Sequence, residues 1–94
     1  MSTFITRIEL HAATYQQYET LHKEMAVAGF RRTILGNDGV TYHLPTAEYA
    51  CLGEFMLEAV FNTAKAAASK VGVRFAVLCN QTASSMWIGL TQAR

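Results

Sequence analysis

Thr3-Phe4-Ile5-Thr6-Arg7-Ile8-Glu9-Leu10-His11 is the stretch from which the fold is read. Phe4, Thr6, Ile8 and Leu10 fall on one side of an alternation, and Ile5, Arg7, Glu9 and His11 on the other. A period of two marks a strand with one face against a core. The period then changes. Over residues 14–28, Tyr15, Tyr18, Leu21, Met25 and Ala28 recur three or four apart, which is the stripe of an amphipathic helix. Thr14 stands where an N-cap is needed, and Gly29 follows the last turn as a C′ residue.

Working outward, residues 30–35 are β-branched and aromatic enough for a second strand, and Gly36-Asn37-Asp38-Gly39 supplies a turn that tolerates positive φ. Residues 40–44 return from that hairpin. Leu44-Pro45-Thr46 breaks the ladder, because proline has no N–H to donate, and residues 48–52 resume it, so the two pieces read as one interrupted third strand. Leu57, Val60, Phe61, Ala64, Ala67, Ala68 and Val71 mark a second helix, closed by Gly72. Residues 73–79 alternate again, with Val73, Phe75, Val77 and Cys79 facing one way and Arg74, Ala76 and Leu78 the other. After a polar loop over 80–85, Met86-Trp87-Ile88-Gly89-Leu90 reads as a short fifth strand. The order β-α-β-β-α-β predicts an α+β, ferredoxin-like sandwich: an antiparallel sheet with both helices on one face and an extra C-terminal strand.

A chain of 94 residues accommodates one domain, residues 1–94. With 51% hydrophobic and 16% charged residues it is too apolar to be disordered. Its core is nonetheless small, since a chain of this size is expected to keep roughly 5,400 Å² exposed. Eight basic residues against seven acidic ones give a net charge of +1, which provides no general attraction to nucleic acid, and DNA is not expected as a partner. No secretory signal is visible at the N-terminus, and the low-charge run over 55–68 is interrupted by Glu58 and Lys65 and is too short to span a bilayer. A cytoplasmic protein with no membrane partner is therefore expected. Cys51 and Cys79 lie singly on strand segments, without a C-x-x-C pair or a histidine at ligand spacing. They read as buried thiols, and neither a metal nor a cofactor is expected.

If Phe4, Ile8, Leu10, Phe75 and Val77 meet the helices, the uncovered face carries Ile5, Arg7, Glu9, His11, Arg74, Ala76 and Leu78, with Arg31 or Arg32 added by the second strand. Guanidinium groups spread over three strands are suited to gripping phosphates through paired hydrogen bonds. The competing reading is that Arg7 and Glu9 pair on a solvated or dimeric surface. A mixed face of this kind also suits a two-fold partner, and a final strand bearing Trp87 would cap a neighbour's sheet edge, so a homodimer is expected; the alternative for Trp87 is a core side chain that covers the sheet's own end. Acid–base chemistry would draw first on His11, His22 and His43, since histidine ordinarily titrates near neutrality. Each also reads as a plain surface or boundary residue. Glu54 and Glu58 suit the positive end of the second helix.

Tyr18-x-x-Leu21-His22-x-x-Met25-x-x-x-Gly29-Phe30-x-Arg32-Thr33-Ile34, followed by Asp38-Gly39-x-x-Tyr42-x-Leu44-Pro45-x-Ala47-Glu48-Tyr49, resembles the GhoS family of small bacterial antitoxins. The likeness is good over the first half of the chain and looser beyond it. It implies a ferredoxin-like fold similar to the small CRISPR adaptation nuclease subunit, and an endoribonuclease that cuts the message of a membrane toxin. A basic position of that family's first helix falls on His22, and an aromatic one after its hairpin falls on Tyr49. On this resemblance a dimer holds single-stranded RNA with Arg7, Arg31, Arg32 and Arg74 on phosphates, Tyr49 stacks a base, and His22 or His11 activates the 2′-hydroxyl. Two alternatives stay open. One is a non-catalytic dimeric module that captures RNA or a protein through the same arginines. The other is a dimeric ferredoxin-like small-molecule enzyme with a pocket lined by Tyr15, Tyr18, His22, Phe55 and Trp87.

Overall fold

The computed structural model describes residues 2–93. Strand β1 (Ser2–Leu10) is the centre of an antiparallel sheet, with β4 (Glu48–Gly53) on one side and β5 (Phe75–Thr82) on the other. In its register Phe4 lies opposite Cys51 and Gln81, and Arg7 opposite Glu48 and Leu78. Two further strands, β2 (Thr33–Leu35) and β3 (Thr41–His43), form a separate hairpin. A bridge between Arg31 and Ala50, with both backbone hydrogen bonds at 2.7 Å, fastens the hairpin to the outer edge of β4. The spatial order, hairpin then β4-β1-β5, is that of a ferredoxin-like βαββαβ fold.

Helix α1 (Tyr15–Val27) starts where the sequence places its cap. The Thr14 hydroxyl accepts from the Gln17 N–H and the Gln17 side chain accepts from the Thr14 N–H, a reciprocal capping box. Leu21 and Met25 are fully buried, but Tyr15, expected on the apolar stripe, is 79% exposed because it precedes the turns that reach the sheet. Helix α2 (Leu57–Ser69) buries Val60, Ala64, Ala67 and Ala68, and these small side chains let its axis approach closely. The two helices cover Phe4, Thr6, Ile8 and Leu10 of β1. Thr6, the one buried polar residue among those described, donates its hydroxyl to Cys79 Sγ at 3.2 Å. The opposite sheet face has no helix.

Three strand expectations change. The third strand is two, because Pro45 and a left-handed Ala47 (φ 71°) turn the chain so that β3 pairs with β2 while β4 joins β1. Strand β5 runs on through Asn80, Gln81 and Thr82, whose pairing with Ile5, Phe4 and Thr3 overrides their loop-like composition. Residues 86–90 form no strand. Trp87 instead turns edge-on to Tyr42, with ring centroids 5.5 Å apart, and the tail then pairs with β3 through the Tyr42 to Gln92 bridge. His43 N–H to Thr91 O and Ala93 N–H to Thr41 O, both at 2.8 Å, hold it there. Trp87 thus caps its own chain's hairpin, contrary to the expectation that it crosses to a neighbour. The chain exposes 6354 Å², above the roughly 5,400 Å² expected for its size.

Candidate functional site

The uncovered face is set by parity along the strands. Because Phe4, Ile8 and Leu10 point to the helices, Ile5, Arg7 and Glu9 point away, and the register places Ala50, Glu48, Asn80, Leu78 and Ala76 beside them. Arg31 joins this face because its bridge partner is Ala50. Arg32, the next residue, lies exposed in the bend before β2, and its positive charge bears on His22 and Tyr49. The sequence-expected arginine set is thereby divided, Arg7 and Arg31 on the open face and Arg32 at the helix-side edge. Arg74 is exposed just before β5, where its carbonyl accepts from the His11 N–H at 2.9 Å. From strand spacing, the backbone positions of Arg31, Arg7 and Arg74 run diagonally across the sheet, with separations of roughly 12 and 14 Å.

Arg7, Arg31 and Arg74 are exposed, and among the described residues none has a carboxylate within 4.0 Å. The pairing of Arg7 with Glu9 expected for a merely solvated face is not formed. Glu9 and Glu48 share the surface, so the positive charge forms a track and not a blanket. Ile5, Leu52 and Leu78 supply its apolar part, with Leu52 and Leu78 more than half exposed.

The histidines do not gather. His22 Nδ1 lies 2.6 Å from Tyr49 Oη, and His22 Nε2 lies 3.9 Å from Glu19. Burial, helped by the Arg32 charge, lowers the His22 pKa from its ordinary 6.5, with Glu19 opposing. Burial pushes the Tyr49 hydroxyl well above its ordinary 10. Tyr49 therefore keeps its proton, and its hydroxyl shares a short hydrogen bond with Nδ1 that ties α1 to β4. Tyr49 has no exposed surface, so it offers no ring for a base to stack on. His11, by contrast, is exposed at the end of β1 beside Arg74, followed by Ala12 in the left-handed region (φ 52°). His43 is exposed on the far hairpin strand.

Two open clefts exist among the described residues. One, about 260 Å³, lies between the helix ends and β4, is mostly apolar and includes Phe55. The other, about 390 Å³, lies on the uncovered face between the sheet, the hairpin and the loop carrying Trp87, with Arg31 at its edge. Tyr15, Tyr18 and His22 line neither, so the five-residue pocket expected for a small-molecule enzyme does not assemble. Tyr18 is instead engaged with the Leu10 backbone. Cys51 is buried with its thiol pKa raised, and Cys79 is half-buried; both are free. Among the described residues no three His, Cys, Asp or Glu side chains come together as a metal site, and no helix is long and apolar enough to cross a membrane.

Sequence reasoning missed Glu19 as the partner of His22, although i, i+3 spacing on one helix was a usable signal. The second cleft had no local signal, since three distant segments build it. No protein-family model matches the chain, and no curated protein matches it.

Proposed function

We propose that this chain is a small RNA-handling antitoxin of the GhoS type, which holds single-stranded RNA on its uncovered sheet face and cleaves it without a metal. The observation that carries the reading is the diagonal of Arg31, Arg7 and Arg74, exposed and unpaired among the described residues on the face the helices leave open. Fork-shaped guanidinium donors suit successive phosphates, and Ile5, Leu52 and Leu78 between them suit the flat faces of unstacked bases.

Cleavage falls to His11, the exposed histidine beside Arg74. Its imidazole takes the proton of a ribose 2′-hydroxyl, the 2′-oxygen attacks the adjacent phosphorus, and the bond to the 5′-oxygen breaks. Arg74 faces the charge that builds on the phosphoryl oxygens, and the 5′-oxygen leaves with a proton from water. The requirement for a 2′-hydroxyl selects RNA over DNA. His22, its side chain largely covered and bonded to Tyr49, ties α1 to β4 and is not assigned to this step. A homodimer belongs to the same proposal: β5 pairs only with β1, and its outer edge suits a two-fold copy that extends the sheet while leaving both RNA faces open.

The test is labelled single-stranded RNA incubated with pure protein in EDTA. Cutting is expected, with His11→Ala slowed by about 100-fold or more, as for loss of a general base, and His22→Gln nearly unaffected in the fraction that folds. Intact RNA defeats the nuclease reading. Salt-dependent binding without cutting would establish the non-catalytic module in its place.

A further inference from the structure

The larger cleft on the uncovered face has a chemical character of its own. Its floor is Thr3 and Ala50 of the central sheet, and Leu35 of the hairpin wall and Leu52 give the lining an apolar surface. Thr33, Thr41 and Asn37 on that wall, and Ser85 opposite, carry neutral donors and acceptors that make no side-chain hydrogen bond to any described residue. Trp87, half-buried against Tyr42, closes the end. The one charged side chain of the lining is Arg31, and no carboxylate lines the cleft.

We propose that this cleft seats one unpaired RNA nucleotide, with its base between hairpin and sheet and its phosphate on Arg31. The inference deepens the RNA reading and rests on it. A volume of about 390 Å³ is within the range of small-ligand sites, near its lower end. A base needs apolar contact on its faces and neutral hydrogen-bonding groups on its edges, and the wall of Leu35, Thr33, Thr41 and Asn37 offers both. The phosphate needs a cation at the mouth and no anion within. A base held in a duplex cannot enter, because its edges are engaged and its faces stacked, so the cleft accepts only a splayed nucleotide. The cleft also continues the arginine diagonal, since Arg31 is its first member. A strand laid from Arg74 past Arg7 therefore ends with one base tucked under the hairpin.

Trp87 is the only tryptophan of the chain, so its emission reports on the cleft without a label. The probes are hexauridylate and hexaadenylate added to the full chain, with filter retention measured in parallel. A saturable change in Trp87 emission is expected at the concentrations that give retention. Leu35→Glu places an anion on an exposed position of the wall and should weaken binding about tenfold through charge repulsion. Val27→Glu, at a still more exposed position on α1 away from the cleft, should leave it unchanged. Circular dichroism confirms that both variants fold. Retention with unaltered Trp87 emission, and Leu35→Glu binding like the parent, overturns the nucleotide seat while leaving RNA binding in place. Absence of retention with either oligonucleotide overturns both.

Discussion

His22 and Tyr49 illustrate how neighbours assign a side chain its role. Nothing in the helix containing His22 separates a catalytic imidazole from a tether; the 2.6 Å contact to a buried tyrosine does. Because burial and Arg32 lower its pKa, His22 stays neutral in the fold where the unfolded chain would protonate it. Unfolding then takes up a proton, so this contribution to stability is complete above about 6.5, declines as pH falls through that value, and levels off below the folded-state pKa. Denaturation followed against pH should show that decline, and His22→Gln should reduce it. By proton NMR, Arg32→Ala should raise the His22 pKa and Glu19→Gln should lower it further. Tyr49→Phe leaves Nδ1 without its hydrogen-bond partner and should cost about 1–2 kcal/mol by chemical denaturation. Ala47 is held at φ 71° while its carbonyl accepts from the Ile8 N–H at 3.0 Å. Relief of that strain should make Ala47→Gly neutral or stabilising, by up to about 1 kcal/mol.

At the scale of elements, the ends of α1 were legible in the sequence and the ends of the strands were not. Thr14 and Gln17 cap α1 through contacts three residues apart, which the sequence displays directly, and Thr14→Ala should destabilise the fold by about 1 kcal/mol in thermal or urea melts. Strand ends depend on partners. Asn80, Gln81 and Thr82 have the composition of a loop, yet β1 pairs with them throughout. The hairpin depends on Gly36, where an added Cβ would lie 2.7 Å from Asp38 Oδ1 and 3.3 Å from the Trp87 ring. Asp38 has little room to yield, as it accepts from the Val40 N–H at 2.9 Å and the Tyr42 hydroxyl at 2.8 Å. Gly36→Ala should therefore expel Trp87, read as a red-shifted emission in an otherwise folded chain. Ala64 and Ala68 on α2 are fully buried, and Ala64→Leu should overpack the layer at a cost of about 1–3 kcal/mol.

Over the whole molecule, function divides between two faces of one sheet. Each arginine on the open face should add to the salt dependence of RNA binding, so Arg7→Ala, Arg31→Ala and Arg74→Ala should each reduce the log–log slope by about 0.7, the single-strand value per phosphate contact. Arg32→Ala, on the helix side, should leave the slope alone; an equal effect from all four would mean that the diagonal has no special standing. Light scattering should give twice the chain mass if two copies join along β5. The amino-acid sequence by itself determined which face of β1 enters the core and where α1 begins, because side-chain period and capping are local properties of the chain. Only the tertiary structure decided that His22 is bound to Tyr49, that Trp87 folds back on its own hairpin, and that a cleft opens beside Arg31. Each of these joins segments far apart in the chain, and the free energy that brings them together resides in contacts that no stretch of sequence contains alone.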